Sequence, residues 1–156
     1  MFIKIKKLTK VYNNFLAVNQ IDFQIEKNKT VGLLGPNGCG KTTTIGMILG
    51  LLKPSNGKIL VNGEEIEKKR VKILDQLNFI SPYIELPKKL TVKQNLEVYG
   101  RLYDIKNLKE KIDYLTEELK LNEILFKITG ELSSGQKNKV SLAKSIINDP
   151  KILLLD

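Results

Sequence analysis

Residues 35–42 read GPNGCGKT, Gly35 to Thr42. The stretch fits G-x-x-x-x-G-K-[ST], a pattern in which glycines let successive backbone N–H groups turn inward around an anion. A helix that follows adds partial positive charge from its N-terminus. In this pattern the lysine, here Lys41, reaches the β- and γ-phosphates of a nucleotide, and the hydroxyl, here Thr42, ligates Mg²⁺. The flanks supply the required context. TVGLLG, residues 30–35, is a short apolar run expected to be a fully buried strand. KTTTIGMILGLL, residues 41–52, sets Ile45, Ile48, Leu49 and Leu52 at helical spacing, with Pro54 and Gly57 expected to close the helix. A glycine-rich turn that only caps a helix is the competing reading. With glycine near 7% of residues, a chance match of the whole pattern is roughly a 1% event, so phosphate binding is the expectation. Cys39 reads as a small side chain in the loop, and a nucleotide-protected thiol with lowered pKa is the second reading.

Working outward, FIKIKKL (residues 2–8) and IDFQIE (21–26) alternate apolar and polar side chains, as half-buried antiparallel strands do. Between them Asn13-Asn14 marks a turn. KILVNGEEI, residues 58–66, is a hairpin with Asn62-Gly63 at the positions where a type I′ turn demands positive φ. A strand over LNFI, residues 77–80, ends at Ser81-Pro82. Thr91 to Gln94 has the T-x-x-Q form of a capping box, after which Val92, Leu96, Tyr99 and Tyr103 share a helical face. Leu108, Ile112, Leu115 and Leu119 mark a second amphipathic helix, so residues of about 88–128 form a helical insertion. A third helix is expected from Ser134 to about Ile147, and ILLLD, residues 152–156, reads as a buried strand delivering Asp156 to a site at its tip.

Composition narrows the class. At 156 residues, with 42% hydrophobic and 28% charged side chains, the chain fits one soluble domain. No apolar run nears the roughly 20 residues of a membrane span. The start, MFIKIKKLTK, has no continuous apolar stretch of a signal peptide. One cysteine excludes an internal disulfide, and the absence of histidine removes familiar metal-ligand spacings. The net charge of +9 permits an anionic partner. The cations are overwhelmingly lysine, however, with only Arg70 and Arg101 of the type that reads phosphates and bases bidentately. The lysines are scattered as on a solvated surface, so nucleic acid is not the expected partner.

LSSGQ, residues 132–136, opens the third helix. With GPNGCGKT before it and ILLLD after it, the set resembles the nucleotide-binding domain of ATP-binding cassette (ABC) ATPases, in order along the whole chain. The resemblance implies an α/β fold: a P-loop NTPase core with an N-terminal antiparallel β portion and the 88–128 segment as an inserted helical subdomain. Residues 1–156 would then be one ATP-binding domain, incomplete at its C-terminal side. It implies ATP and Mg²⁺ as ligands. Gly35, Pro36, Asn37, Gly38, Cys39, Gly40, Lys41, Thr42 and Thr43 would hold the phosphates, Tyr12 would stack on adenine, and Thr42 and Asp156 would hold Mg²⁺. Leu132, Ser133, Ser134, Gly135 and Gln136 would close over ATP held by a second ABC subunit. A membrane-spanning permease would dock on residues of about 81–105 and keep the domain at the cytoplasmic face of the membrane. The ELPKKLTVKQNLEVYGRLYD and LSSGQKNKVSLAKSIINDPKILLLD stretches look most like the exporter branch.

This sequence departs from the family pattern at three places. The signature is usually LSGGQ, and Ser134 stands at its third position. A Gln normally follows the strand read as LNFI, where this chain has Ser81-Pro82, leaving Ser81 and Glu85 as the nearest polar side chains. The family also has a Glu directly after the strand-ending Asp, to polarise the attacking water, and later a switch His. Neither occurs in these 156 residues, which are therefore expected to be a truncated record that binds ATP with little turnover. Two alternatives stand beside a transporter subunit. One is a soluble cassette protein acting on ribosomes or nucleic acid. The other is a module that binds ATP for assembly without hydrolysing it.

Overall fold

A computed structural model describes residues 2–81 and 85–156. It forms two compact units, residues 1–75 and 76–156.

The first unit is built on a hairpin of β1 (Ile3–Tyr12) and β2 (Phe15–Ile25). Alternation does what the sequence leads one to expect: Ile3, Ile5 and Leu8 are buried while Lys6 is exposed. Each such buried aliphatic side chain contributes about 1.5–3 kcal/mol. The turn falls at Asn13, whose φ of 50° is the left-handed conformation that Asn tolerates. β3 (Asn56–Val61) pairs antiparallel with the other side of β1, and β4 (Glu64–Glu65) pairs with β3, giving the order β2-β1-β3-β4. Asn62 and Gly63 turn with φ of 50° and 82°, the type I′ signature. Lys7 sits where both β1 ladders shift register, and Gly57, at φ 88°, lies against the carbonyls of Lys6 and Lys7 with no room for a Cβ. On β4, Glu65 meets Lys58 at 2.8 Å and Lys68 at 2.9 Å, which lowers its carboxyl pKa to about 2.

Helix α1 (Lys41–Ile48) follows the phosphate loop as expected but ends earlier than Pro54 and Gly57 suggest. Gly50, at φ 63°, donates to Met47 O and Leu51 donates to Gly46 O, which is the crossed pair of a Schellman cap. A short helix, α2 (Arg70–Leu74), closes the unit.

The expected strand at residues 30–35 is not formed. The segment takes no secondary structure, Leu34 is 94% exposed, and Val31 and Leu33 are exposed with it. Apolar content alone does not make a strand, because each strand N–H and C=O needs a neighbouring ladder. No described strand pairs with these residues.

The second unit joins a parallel pair, β5 (Leu77–Ile80) and β6 (Ile152–Leu155), to three helices: α3 (Val92–Leu102), α4 (Leu108–Glu118) and α5 (Ser134–Ile146). Short 3₁₀ turns at Asn122–Ile124 and Thr129–Glu131 link α4 to α5. The apolar faces of α3 and α4 read from the sequence meet here, and Leu121 and, from α5 and its end, Val140, Ala143 and Ile147 join Val92, Leu96, Ile112 and Leu115 in one core. The capping box at Thr91 is complete: Thr91 Oγ1 accepts from Gln94 N at 3.1 Å and Gln94 Oε1 accepts from Thr91 N at 2.9 Å.

Asn95, fully buried on α3, organises the approach to this core. Its amide donates to Thr129 Oγ1 at 2.8 Å and lies near the carbonyls of Pro87, Leu90 and Thr91, while Thr129 Oγ1 donates to Leu90 O at 2.9 Å. Thr129 N and Gly130 N donate back to Leu90 O and Lys88 O. The connection from β5 to α3 is thereby tied to the turn that leads into α5.

Candidate functional site

The phosphate loop runs exposed from Gly35 to Cys39 and enters α1 through Gly40. Gly40 has φ 91°, and a Cβ there would run into the carbonyl oxygen of Ala17 on β2. Glycine is therefore required both by conformation and by the close approach of β2. Having no side chain, Gly40 cannot cap α1, and the first helical turn carries no acidic residue. The electropositive start of α1 is thus offset neither by a side-chain cap nor by an acidic residue in its first turn. Lys41 folds its ammonium into the loop, donating to Gly35 O at 2.7 Å and Pro36 O at 2.8 Å. Asn37 and Gly38 form the tip of the loop, and Cys39 N donates to Pro36 O at 3.3 Å across it. Cys39 is an exposed free thiol with Lys41 Nζ 3.8 Å from its sulfur. Thr42 and Thr43 lie in the first turn of α1.

Tyr12 ends β1 opposite Phe15 and is 41% exposed, with Lys10 Nζ 5.0 Å from its ring centroid. Val11, Phe15 and Leu16 are exposed beside it, so the hairpin tip presents a small apolar surface able to receive a planar base.

In the second unit Leu132 is buried and anchors the LSSGQ segment. Ser133 N-caps α5, accepting from Gln136 N at 3.3 Å, and Gln136 Oε1 accepts from Ser133 N at 2.9 Å. The Gln136 half of this second capping box escaped the sequence reading, although S-x-x-Q here has the same form as T-x-x-Q at Thr91. It gives Gln136 a structural task and leaves Ser134 and Gly135 exposed at the helix start.

A cleft of about 670 Å³ opens at the carboxyl ends of β5 and β6. Ser81 and Asp156, which follow the two strands, line it together with Ser134, Asn138 and Ser141 from α5 and Glu85 from the connection to α3. Asp156 is held in place by its N–H, which donates to Ile80 O at 3.0 Å. Glu85 contacts Lys88 at 2.7 Å, and that hydrogen bond holds its carboxyl below the usual carboxylate range. Pro82, where the family pattern has its Gln, lies outside the described residues.

The donor set suits Mg²⁺ more than a metal held wholly by protein. Among the described residues no three His, Cys, Asp or Glu side chains gather, so a cation would meet one carboxylate, hydroxyls, water and nucleotide oxygens. The loop belongs to the first unit, and the cleft, with Asp156 and Ser134, to the second.

The chain matches the family model described as ABC transporter over residues 18–156. It is 36% identical to the probable multidrug ABC transporter ATP-binding protein YbhF of Escherichia coli (strain K12), over 99% of this chain and 27% of that protein. It is also 36% identical to Nod factor export ATP-binding protein I of Rhizobium sp. (strain N33), over 94% of this chain and 49% of that protein. The chain thus spans half or less of the length of these two relatives. Among solved structures, an ATP-binding subunit of an ABC transporter superposes with a TM-score of 0.88 at 25% identity, covering 100% of this chain and 66% of the other. The protein cbiO1 from Clostridium perfringens, described as part of the ABC transporter complex cbiONQ, gives 0.86 at 27% identity, covering 99% and 64%.

Proposed function

The chain belongs to the ABC transporter ATP-binding family, and from that premise we propose that it is the ATP-binding part of an exporter-type ABC transporter. Residues 35–43 bind the ATP phosphates, with Lys41 as the phosphate-reading cation and Tyr12 as the adenine platform. Thr42 and Asp156 are the Mg²⁺-binding side chains. Bound MgATP supplies the phosphoryl group whose hydrolysis drives the cycle. The protein's part is to bind, orient and desolvate it.

The observation that carries this reading is the loop itself. A helix start with no side-chain cap and no acidic residue in its first turn follows a loop into which Lys41 folds its ammonium. Ser134 and Gly135, exposed at the capped start of α5, offer a second anion-binding edge, and we assign that edge to the ATP of a partner subunit. Residues 1–156 then act as one nucleotide-binding domain whose 88–128 segment is a helical subdomain, and residues of about 81–105 face a membrane-spanning permease on its cytoplasmic side. Among the described residues, Glu85 is the other carboxylate of the cleft beside Asp156, and it is tied to Lys88. These 156 residues by themselves are expected to bind ATP with little turnover.

Lys41→Ala tests the reading. Binding of a fluorescent ATP analogue should fall by at least about 100-fold, equivalent to losing some 2.7 kcal/mol of charge-assisted contact. Wild-type affinity in that variant would remove the phosphate-loop assignment.

A further inference from the structure

Helix α5 begins at Ser134, yet its first buried side chain is Val140. Ser133, Ser134 and Gly135 are exposed, and Gln136 and Lys137 are half-buried. Packing of α5 on the core therefore does not by itself fix its first turn, and helix ends without packed contacts open most easily. The chain that enters α5 supplies the missing hold. Thr129 N and Gly130 N donate to Leu90 O at 2.9 Å and Lys88 O at 3.0 Å. In the other direction Val92 N and Lys93 N donate to Lys127 O at 3.1 Å and Leu125 O at 2.9 Å, and Thr91 pairs with Ile128 in an antiparallel bridge. At the centre of this clasp Thr129 is 2% exposed. Its hydroxyl accepts from the Asn95 amide at 2.8 Å and donates to Leu90 O at 2.9 Å, so it is used both as acceptor and as donor. A Cβ on Gly130 would stand 3.0 Å from Lys88 O, which shows how closely the two segments approach.

We infer that Thr129 is a positioning residue for the Ser134–Gly135 edge, its buried hydroxyl setting where the start of α5 meets an anion. The inference rests on the assignment of that edge to the ATP of a partner subunit. The short stretch between Thr129 and Ser134 has little slack. Glu131 N donates to Ile128 O at 3.0 Å and closes the 3₁₀ turn, Leu132 is buried, and Ser133 is locked by its capping box with Gln136. A displacement at Thr129 is thus carried to Ser134 and not absorbed on the way. Hydrogen bonds from backbone N–H groups to an anion weaken steeply with misalignment, so a small shift of the edge costs affinity for the partner's nucleotide. The phosphate loop lies in the other unit, so nucleotide binding by a single subunit is independent of the clasp.

The experiment measures dimerisation of the whole protein by sedimentation with Mg²⁺ and a non-hydrolysable ATP analogue, alongside analogue binding by single subunits. Thr129→Val keeps the shape and removes the hydroxyl. It should raise the dimer dissociation constant about 10-fold, the effect of one hydrogen bond of ordinary net strength, and leave single-subunit affinity unchanged. Thr129→Ser keeps the hydroxyl and should restore wild-type dimerisation. Gly130→Ala, which must push the turn away from Lys88 O, should weaken dimerisation in the same direction and serves if Thr129→Val does not fold. Ile112→Val lowers the stability of the same core without touching the clasp and should leave dimerisation unchanged. Wild-type dimerisation in Thr129→Val, or in Gly130→Ala where that variant stands in, would overturn the assignment. So would failure of Thr129→Ser to restore it, or an equal loss in Ile112→Val, which marks an effect of stability alone. Wild type that binds the analogue without dimerising removes the partner-subunit reading and the role of Thr129 with it, and wild type that binds no analogue removes the nucleotide reading itself.

Discussion

Asn95 offers the most direct test of how the second unit holds its site together. Its side chain is fully buried, and its two amide hydrogens have Thr129 Oγ1 at 2.8 Å and Thr91 O at 3.0 Å as nearest acceptors. Asn95→Ala removes both bonds at about 1 kcal/mol each and leaves a small void, so the loss of stability should be about 2–3 kcal/mol. The effect should be local as well as global. Hydrogen exchange at the amides of Thr129 and Gly130, which donate to Leu90 O and Lys88 O, should quicken, and 2 kcal/mol corresponds to about 30-fold. Asn95→Asp adds a sign that can be checked. A carboxyl placed among carbonyl oxygens and cut off from water has its folded-state pKa raised. Its penalty is absent below the unfolded carboxyl value near 3.9 and grows as pH rises above it, so this variant should lose stability from pH 4 towards 7. Urea unfolding read by circular dichroism, with exchange followed by mass spectrometry, measures both. A loss under about 0.5 kcal/mol for Asn95→Ala, or a pH-independent Asn95→Asp, would refute the hub role.

Further outcomes are expected elsewhere. Gly40→Ala must place a Cβ against Ala17 O at a φ of 91°, and nucleotide affinity should drop together with about 1–3 kcal/mol of stability; an unperturbed variant would contradict the loop geometry. Ser133→Arg should leave ATP binding by single subunits largely intact and block ATP-driven dimerisation, read by analytical ultracentrifugation; dimers that still form would exclude the in-trans role. Ser133→Ala should cost about 1 kcal/mol of stability through its cap alone. Glu65, held by Lys58 and Lys68, should titrate near 2, measured by carboxyl-carbon NMR. Because that pKa is depressed, its stabilising effect is present above the unfolded value and disappears as pH falls through 4.5 towards 2. A Glu65 midpoint near 4.5 would show that these ion pairs do not persist in solution.

Several of these features act within a few residues of chain, and those were legible from sequence. The phosphate pattern at residues 35–42, the Asn62-Gly63 turn, the Thr91–Gln94 capping box and the apolar faces of α3 and α4 each depend on spacing along one element. Helix periodicity and turn chemistry are local, so a string of letters suffices. The S-x-x-Q cap at Ser133 was equally local and could have been read by the same rule.

Tertiary structure decided the rest, because strand formation and register depend on a partner remote in sequence. TVGLLG has the composition of a buried strand, yet with no ladder beside it the segment stays exposed and without secondary structure. Asn95 could be read only as a polar letter on an amphipathic helix. Its partners, at residues 87–91 and 129, come from two connections that meet only in the folded chain. Likewise, nothing local pairs Ser81 with Asp156. That adjacency exists because β5 and β6 run parallel in one register, and a shift of a single residue would separate the two and turn the side chains to opposite faces.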